Sequence, residues 1–108
     1  MIYQTVFMWY NYYSEKSKKY KGTVKRMETR AAVIAIIVKD NESAGEINSL
    51  LHEYCDFVIG RMGIPYREKG INIISVAVDA PQDTISSLAG KIGRIKGVTA
   101  KTVYSPVE

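Results

Sequence analysis

An α+β fold, with four antiparallel strands and two helices on one face of the sheet, is predicted by three features of this 108-residue sequence. Apolar segments of strand length and helical period alternate in the order strand, helix, strand, strand, helix, strand. Residues 30–39 and 71–79 are largely apolar on both alternating faces, which is typical of interior strands. The two helical segments each carry one apolar stripe, so each helix is expected to cover one side of the sheet.

The first half of the pattern is one strand followed by one helix. Residues 30–39 are rich in β-branched side chains, which favour a strand. A short polar link follows, and Ser43 and Glu46 then have the spacing of a capping box. We therefore predict that the first helix runs from residue 44 to residue 54 or 55.

A hairpin is predicted next, with an irregular strand as its first arm. Residues 57–66 contain Gly60, Gly63 and Pro65. Because proline cannot donate to a strand ladder, this strand should lie at a sheet edge or carry a bulge. Residues 67–70 supply the turn into the third strand.

The second helix and the last strand complete the pattern. Pro81 and Asp83 suit the first turn of a helix, since proline has a helical φ and a carboxylate favours the positive end of the helix dipole. Gly93 and Gly97 are places where the helix can end. Residues 98–103 are predicted to form the fourth strand.

With right-handed crossovers, this order gives a ferredoxin-like βαββαβ sandwich. The first and third strands are central in that topology, and they are the two most apolar segments of the sequence. One face of the sheet stays uncovered in a monomer. We therefore predict a homodimer or tetramer that forms through the open sheet face and the second strand.

Composition limits the number of domains and the location. The length suits a single folded domain. The longest apolar run, residues 31–38, is too short to span a bilayer, and the opening apolar segment lacks the basic start and cleavage site of a signal peptide. Cys55 is the only cysteine, which excludes an internal disulfide and fits a reducing compartment. We expect a cytoplasmic protein that does not contact membranes.

The net charge of +4 is unevenly distributed. Residues 1–26 hold six basic residues against one acidic residue, whereas residues 27–108 hold nine basic and ten acidic residues. The first segment is also rich in aromatic side chains, so one interpretation is an arm that binds nucleic acid by stacking and charge. The interpretation we favour is a disordered or non-native extension, with Met27 as the true start of a domain at 27–108 that does not bind DNA directly.

The only histidine and the only cysteine, His52 and Cys55, lie three residues apart and therefore on one side of the predicted helix. Both side chains are ligands for soft or borderline metals, but two ligands are too few for a site. They are weak metal candidates, and we predict neither a metal nor a cofactor. The dipole at a helix C-terminus disfavours a Cys55 thiolate, so we do not expect an enzyme.

A polar cluster follows the second strand into its turn. A pair of arginines there can bind a small carboxylate or phosphate. The other interpretation is salt bridging between subunits together with solvated charge on a turn. We predict Arg61, Tyr66, Arg67 and Glu68 as ligand-binding or interface residues. The glycines of this segment do not form a phosphate-binding loop, because they are too few and do not open a helix.

From Met27 onward the sequence resembles the ACT-like family of iron-only hydrogenase system regulators. The most specific part of the resemblance is the run Gly-Arg-Met-Gly-Ile-Pro-Tyr-Arg at residues 60–67. The other matching segments are residues 33–39, 51–54, 73–75, 90–93 and 97–98. This resemblance implies a βαββαβ fold, a regulatory role and no demonstrated enzymatic chemistry.

The same domain resembles, more distantly, the metal-sensing C-terminal domain of the nickel-responsive repressor NikR. His52 falls at the helix ligand position of that domain. Its His-x-His positions are Gly63 and Pro65 here, and its cysteine position is about Ile71. Because these three ligands are missing, the resemblance does not imply a nickel site.

The function predicted from the sequence is a non-catalytic, oligomeric regulatory or ligand-sensing domain of an iron-only hydrogenase system. A small anion and a regulatory protein are the expected partners besides a second copy of the chain. One alternative is a structural or protein-interaction module without a small ligand. The weaker alternative is nucleic-acid binding through the basic arm.

Overall fold

The computed structural model describes residues 28–106, and the predicted extension at residues 1–26 lies outside them. The described part has the predicted α+β, ferredoxin-like order βαββαβ. Its elements are β1 (Arg30–Val38), α1 (Ala44–Glu53), β2 (Val58–Tyr66), β3 (Ile71–Ala80), α2 (Gln82–Gly93) and β4 (Val98–Tyr104), with short 3-10 turns at Asn41–Ser43, Cys55–Phe57 and Arg67–Lys69. Within these residues, neither helix is long and apolar enough to cross a membrane.

The four strands form one antiparallel sheet in the order β2-β3-β1-β4. The two strands that are apolar on both faces are therefore central, as predicted. β2 lies at an edge of the sheet, where Pro65 can be tolerated because its nitrogen does not interrupt an inner ladder. The bulge of β2 falls between Val58 and Gly60 rather than at the proline.

The hydrophobic core lies between the two helices and one face of the sheet. Alternate residues of β1 and β3 point into it, and each helix contributes a stripe of apolar side chains. The largest fully buried side chains are Ile34, Ile36, Val38, Ile47, Leu51, Val58, Val76, Val78, Ile85, Leu88 and Ile92. Burying each of them contributes about 1.5–3 kcal/mol, so this layer fixes both helices on the same side.

The opposite face of the sheet carries no helix among the described residues, and we call it the open face. It is formed by the other alternating set of strand residues, most of which are apolar. Its members are Ala31, Val33, Ala35, Ile37, Ile59, Met62, Ile64, Tyr66, Ile71, Ile73, Ser75, Ala77, Asp79, Thr99, Lys101 and Val103. Val103 is 68% exposed, Val33 is 41% exposed and Ile73 is 36% exposed.

The start of α1 differs from the prediction. Ser43 makes no capping hydrogen bond, and its buried hydroxyl instead donates to the backbone carbonyl of Lys96 at 2.7 Å. The turn Asn41–Ser43 extends the helical run upstream, and Asp40 caps it by accepting the amide of Glu42 at 3.0 Å. The predicted capping box is wrong because a tertiary hydrogen bond takes the serine hydroxyl away from the local backbone.

Two glycines adopt the left-handed conformation, and both lie where the chain enters a strand. Gly70 has φ of 64° at the end of the β2–β3 turn, and Gly97 has φ of 73° just before β4. The carbonyl of Gly97 accepts the amide of Lys39 at 2.8 Å. Gly97 therefore joins the loop after α2 to the end of β1.

Candidate ligand cleft and open face

The four residues predicted as one polar cluster are divided by the structure. Arg61 lies in the middle of β2 on the side that faces the helices, opposite Val76. Tyr66 ends the strand, and its hydroxyl donates to Oε2 of Glu68 at 3.1 Å, in the exposed turn that also holds Arg67. The two arginines are six positions apart along the chain, a distance of about 20 Å for extended backbone. The two guanidinium groups therefore do not meet on one small anion.

The weak metal candidates lie in different environments. The side chain of His52 is exposed on α1, whereas Cys55 is 7% exposed and belongs to the core. Helix α1 ends at Glu53, and the following turn rotates the cysteine inward; its Sγ atom lies 3.9 Å from Oδ1 of Asp56. Among residues 28–106, no group of three or more His, Cys, Asp or Glu side chains is placed to hold a metal ion.

A cleft opens between α1 and the second half of β2, and we call it the β2 cleft. Its volume is about 230 Å³. Gly63 faces the helix layer opposite Ile74, and a Cβ atom built on this glycine would meet no atom within 4 Å. The missing side chain therefore leaves the layer open at this point. The residues that line the cleft are Val38, Ala44, Asn48, Arg61, Gly63, Ile64, Pro65, Asn72 and Ile74.

Hydrogen bonds fix the polar side chains of the β2 cleft to α1 and to the turn before it. Nη2 of Arg61 donates to Oδ1 of Asn48 at 3.1 Å. Nδ2 of Asn72 donates to Oδ1 of Asn41 at 3.1 Å. The cleft thus combines one cation and two amides with apolar walls, and none of its lining residues is acidic.

Sequence reasoning found three of the nine residues that line this cleft. It singled out Arg61 and the strand-shaping residues Gly63 and Pro65. It missed Asn48 and Asn72, which are distant from Arg61 in the sequence and reach the cleft only through the packing of α1 and β3. The sequence gives one signal for Asn48. It follows Ala44 by four residues, so Ala44 and Asn48 lie on the same face of the helix.

A second polar group joins the two helices on their exposed side. Nζ of Lys91 donates to the hydroxyl of Tyr54 at 2.9 Å, and the hydroxyls of Tyr54 and Ser87 are 3.3 Å apart. The hydrogen bond from Lys91 lowers the pKa of Tyr54, with a further contribution from Ser87. The same bond raises the pKa of Lys91. These side chains tie the end of α1 to α2, and they do not line either cavity described in this section.

The open face contains an apolar groove of about 300 Å³. Its lining comes from both central strands, β1 and β3, and from both edge strands, β2 and β4. Ile59 follows the buried Val58 and lines this groove on one edge strand, and the strongly exposed Val103 lines it on the other. The residues that line the groove are Ala31, Ala32, Val33, Ile59, Ala77, Val78, Val103, Tyr104 and Ser105.

These features define the class: a small ferredoxin-like α+β domain with a small polar cleft and an apolar sheet face that no helix covers among residues 28–106. Residues 30–102 match a family model described as "TM1266-like: Iron-only hydrogenase system regulator, putative". The solved structure of the uncharacterized protein TM1266 from Thermotoga maritima is similar, with 39% sequence identity and a TM-score of 0.70 over 73% of this chain and 100% of that chain. No curated protein was found to match. The chain belongs to the TM1266-like family, and this confirms the resemblance found from the sequence.

Proposed function

We propose that this chain is a non-catalytic regulatory domain of an iron-only hydrogenase system and that it works as a homo-oligomer assembled through the open face. Membership of the TM1266-like family supports the regulatory role. The observation that supports the homo-oligomer is the composition of the open face. Large apolar side chains such as Val33, Ile73 and Val103 are exposed there on one surface. Contiguous exposed apolar surface of this kind marks an interaction site.

The size of the open face suits a second copy of the chain. Four strands spaced about 4.8 Å apart and nine residues long at about 3.3 Å each give a footprint of about 600 Å². Specific protein interfaces bury about 600–1,000 Å² on each partner, so the four strands of the open face reach the lower end of that range without help from the turns.

The charges of the open face also suit self-association. Among its strand residues only Asp79 and Lys101 are charged, one of each sign. A two-fold axis presents the same patch on both copies, so a face with balanced charge does not repel itself. Ser75 and Ala35, which are paired at its centre, leave room for the partner's larger side chains.

The assembly is tested with one charge placed on the open face. Val33→Lys puts an ammonium among apolar neighbours in both copies, and an unpaired buried charge costs several kcal/mol. We expect the dissociation constant of the oligomer to rise by about 100-fold or more, since each 1.4 kcal/mol is a factor of ten. Sedimentation equilibrium measures it. Ser49→Lys, on the exposed side of α1, adds the same charge elsewhere and should leave the assembly unchanged.

The regulatory role is tested in a host that contains an iron-only hydrogenase system. Deletion of the gene should change the cellular hydrogenase activity, and the wild-type chain should restore it. Add-back of the Val33→Lys variant should fail while Ser49→Lys succeeds, provided both proteins accumulate to the wild-type level. Unchanged hydrogenase activity after deletion contradicts the proposal and favours a protein-interaction module outside that system.

A further inference from the structure

The outer edge of β4 is regular and has a strand neighbour on one side alone among the described residues. We propose that two copies of the chain pair along this edge, antiparallel, around a two-fold axis at Thr102. The pairing joins two sheets into one continuous sheet with four strands from each copy. This inference rests on the proposed assembly through the open face and adds a second interface between copies.

The two edges of the sheet differ in regularity. β2 has a bulge between Val58 and Gly60, and Pro65 has no amide hydrogen to donate. Bulges and prolines are features by which proteins keep an edge strand from pairing with another chain. β4 has neither, and it stays in register with β1 from Val98 to Tyr104. β4 is therefore the edge that is suited to pairing with another strand.

The hydrogen bonds at the two ends of β4 show which of its backbone groups are directed outward. The amide of Ser105 donates to the carbonyl of Ala31 at 2.9 Å, and the carbonyl of Gly97 accepts the amide of Lys39 at 2.8 Å. Ser105 and Gly97 are both odd-numbered, and bonded and non-bonded residues alternate along an antiparallel ladder. The even-numbered residues therefore direct their amides and carbonyls away from β1. Within the second half of the strand these are Ala100, Thr102 and Tyr104.

Three centres give two β4 strands their longest overlap, and they are Ala100, Lys101 and Thr102. Lys101 is the one charged residue of the strand, and a centre there places two ammonium groups directly opposite each other, which is destabilising. A centre at Ala100 requires the amide of Val98, which already donates to the carbonyl of Ile95 at 3.2 Å. The centre at Thr102 has neither defect.

When the pair is centred on Thr102, the side chains of the two strands are complementary. The two threonines lie opposite each other, which is a favourable pair across strands. On the open-face side the partner's Val103 lies opposite Lys101, and on the helix side the partner's Ala100, which is small, lies opposite Tyr104. Each bonded pair of residues exchanges two backbone hydrogen bonds, so this contact, which we call the β4 seam, contains about six.

Helix α2 leaves space above the β4 seam. The hydroxyls of Ser86 and Tyr104 are 3.2 Å apart, so the side of the helix that holds Ser86 lies over β4. Ala89 and Gly93 follow on the same side at spacings of three and four residues. A Cβ atom at Gly93 would meet nothing within 4 Å. The second copy and its own α2 can therefore approach the edge without meeting a long side chain from this part of the helix.

The β4 seam also enlarges the open face. A two-fold axis that pairs strands antiparallel is perpendicular to the sheet, so both copies keep their helices on the same side. The two open faces then form one apolar surface. A seam of about six backbone hydrogen bonds is too small to hold two chains together at micromolar concentration, because association has a large entropic cost. Two such sheets stacked through their open faces close both seams together, and the assembly is a tetramer.

Thr102→Pro tests the β4 seam by sedimentation equilibrium of the full chain. The amide hydrogen that it removes is directed outward, so no bond to β1 is lost, and proline is tolerated at such positions. Each chain of the tetramer loses one donor, so the dissociation constant for splitting the tetramer into open-face dimers should rise by about 100-fold or more. Thr102→Val keeps the amide and the branched side chain and should leave the tetramer intact. Far-ultraviolet circular dichroism checks that both variants fold.

A cysteine at the two-fold centre tests the register independently of the proline variant. In a hydrogen-bonded pair the two Cα atoms are about 5.5 Å apart, which a disulfide can bridge. Thr102→Cys should therefore cross-link two chains under mild oxidation, measured by non-reducing gel electrophoresis. Ala100→Cys is the control on the same side of the strand, and it should not cross-link because its two copies are about 13 Å apart. The native Cys55 is buried.

The outcomes separate this inference from the proposed function. An oligomer that a folded Thr102→Pro variant leaves intact, or a Thr102→Cys variant that does not cross-link, would each overturn pairing at β4 and leave that edge for an extended segment of a different protein. If Val33→Lys still dissociates such an oligomer, the assembly through the open face stands without the β4 seam. If Val33→Lys leaves a dimer that Thr102→Pro dissociates, the β4 seam stands and the assembly through the open face falls.

Discussion

Gly97 is the residue whose replacement tests the packing of the fold most sharply. With φ of 73° it is left-handed, and a Cβ atom there would lie 2.8 Å from Cβ of Asp40 and 3.3 Å from the backbone nitrogen of Asp40. Non-bonded carbon atoms prefer separations of about 3.5–4.0 Å. The nearest atoms are Cβ and the backbone nitrogen of Asp40, which do not move when the Asp40 side chain rotates. Rotation of that side chain therefore cannot relieve the clash.

The cost of Gly97→Ala has two parts. The left-handed conformation costs a non-glycine residue about 1–2 kcal/mol. Overpacking of a well-packed site costs about 1–3 kcal/mol more, and here it strains the cap that Asp40 forms before α1. The expected loss is therefore about 2–5 kcal/mol in the free energy of unfolding, which lowers the melting temperature of a domain of this size by about 10–30 °C.

Gly70→Ala is the matched control, because Gly70 has a similar φ of 64° and nothing within 4 Å of its Cβ position. The free energy of unfolding of Gly70→Ala should fall only by the cost of the left-handed conformation, about 1–2 kcal/mol. Urea unfolding of both variants, followed by far-ultraviolet circular dichroism, measures the difference. If the two variants are equally stable, Gly97 does not contact Asp40 as described and the loop before β4 packs differently.

Two further predictions concern the helices. Gly45→Ala should stabilise the fold by about 0.5–1 kcal/mol, because Gly45 is helical and has free space around its Cβ position; a loss of stability in urea unfolding would contradict this. Lys91→Met should raise the pKa of Tyr54 back toward its ordinary value, measured by NMR of ¹³C-labelled tyrosine, with Lys101→Met on the open face as a control that leaves it unchanged. Since folding lowers the pKa of Tyr54, this group favours the folded state above its unfolded value, and that contribution is lost as the pH falls through the folded value. Since folding raises the pKa of Lys91, that group favours the folded state below its unfolded value, and its contribution is lost as the pH rises through the folded value. An unchanged pKa in Lys91→Met would mean that the Lys91–Tyr54 bond is absent in solution.

The order of elements and the central position of β1 and β3 could be predicted from the sequence because both depend on hydrophobic periodicity. A segment that is apolar on both faces is favoured in the interior of a sheet. This preference can be recognised from the residues of the segment alone. Several strand and helix boundaries differ by one residue from the predicted ones. For example, β1 ends at Val38 rather than at residue 39.

The contacts that depend on tertiary packing could not be predicted. The pattern of Ser43 and Glu46 is correct for a capping box, yet the carbonyl of Lys96, more than fifty residues away, takes the serine hydroxyl. In the same way, Arg61 and Arg67 are close in sequence but point to different parts of the molecule. One hydrogen-bond partner of Arg61 is Asn48, which lies on another element.

The central claim is that the open face joins copies of this chain, and sedimentation equilibrium of the full chain tests it most directly. We predict a dimer or tetramer at micromolar concentration, converted to a folded monomer by Val33→Lys and retained in Ser49→Lys. A wild-type chain that remains monomeric over the whole accessible concentration range, or an oligomer that Val33→Lys leaves intact, would contradict the account.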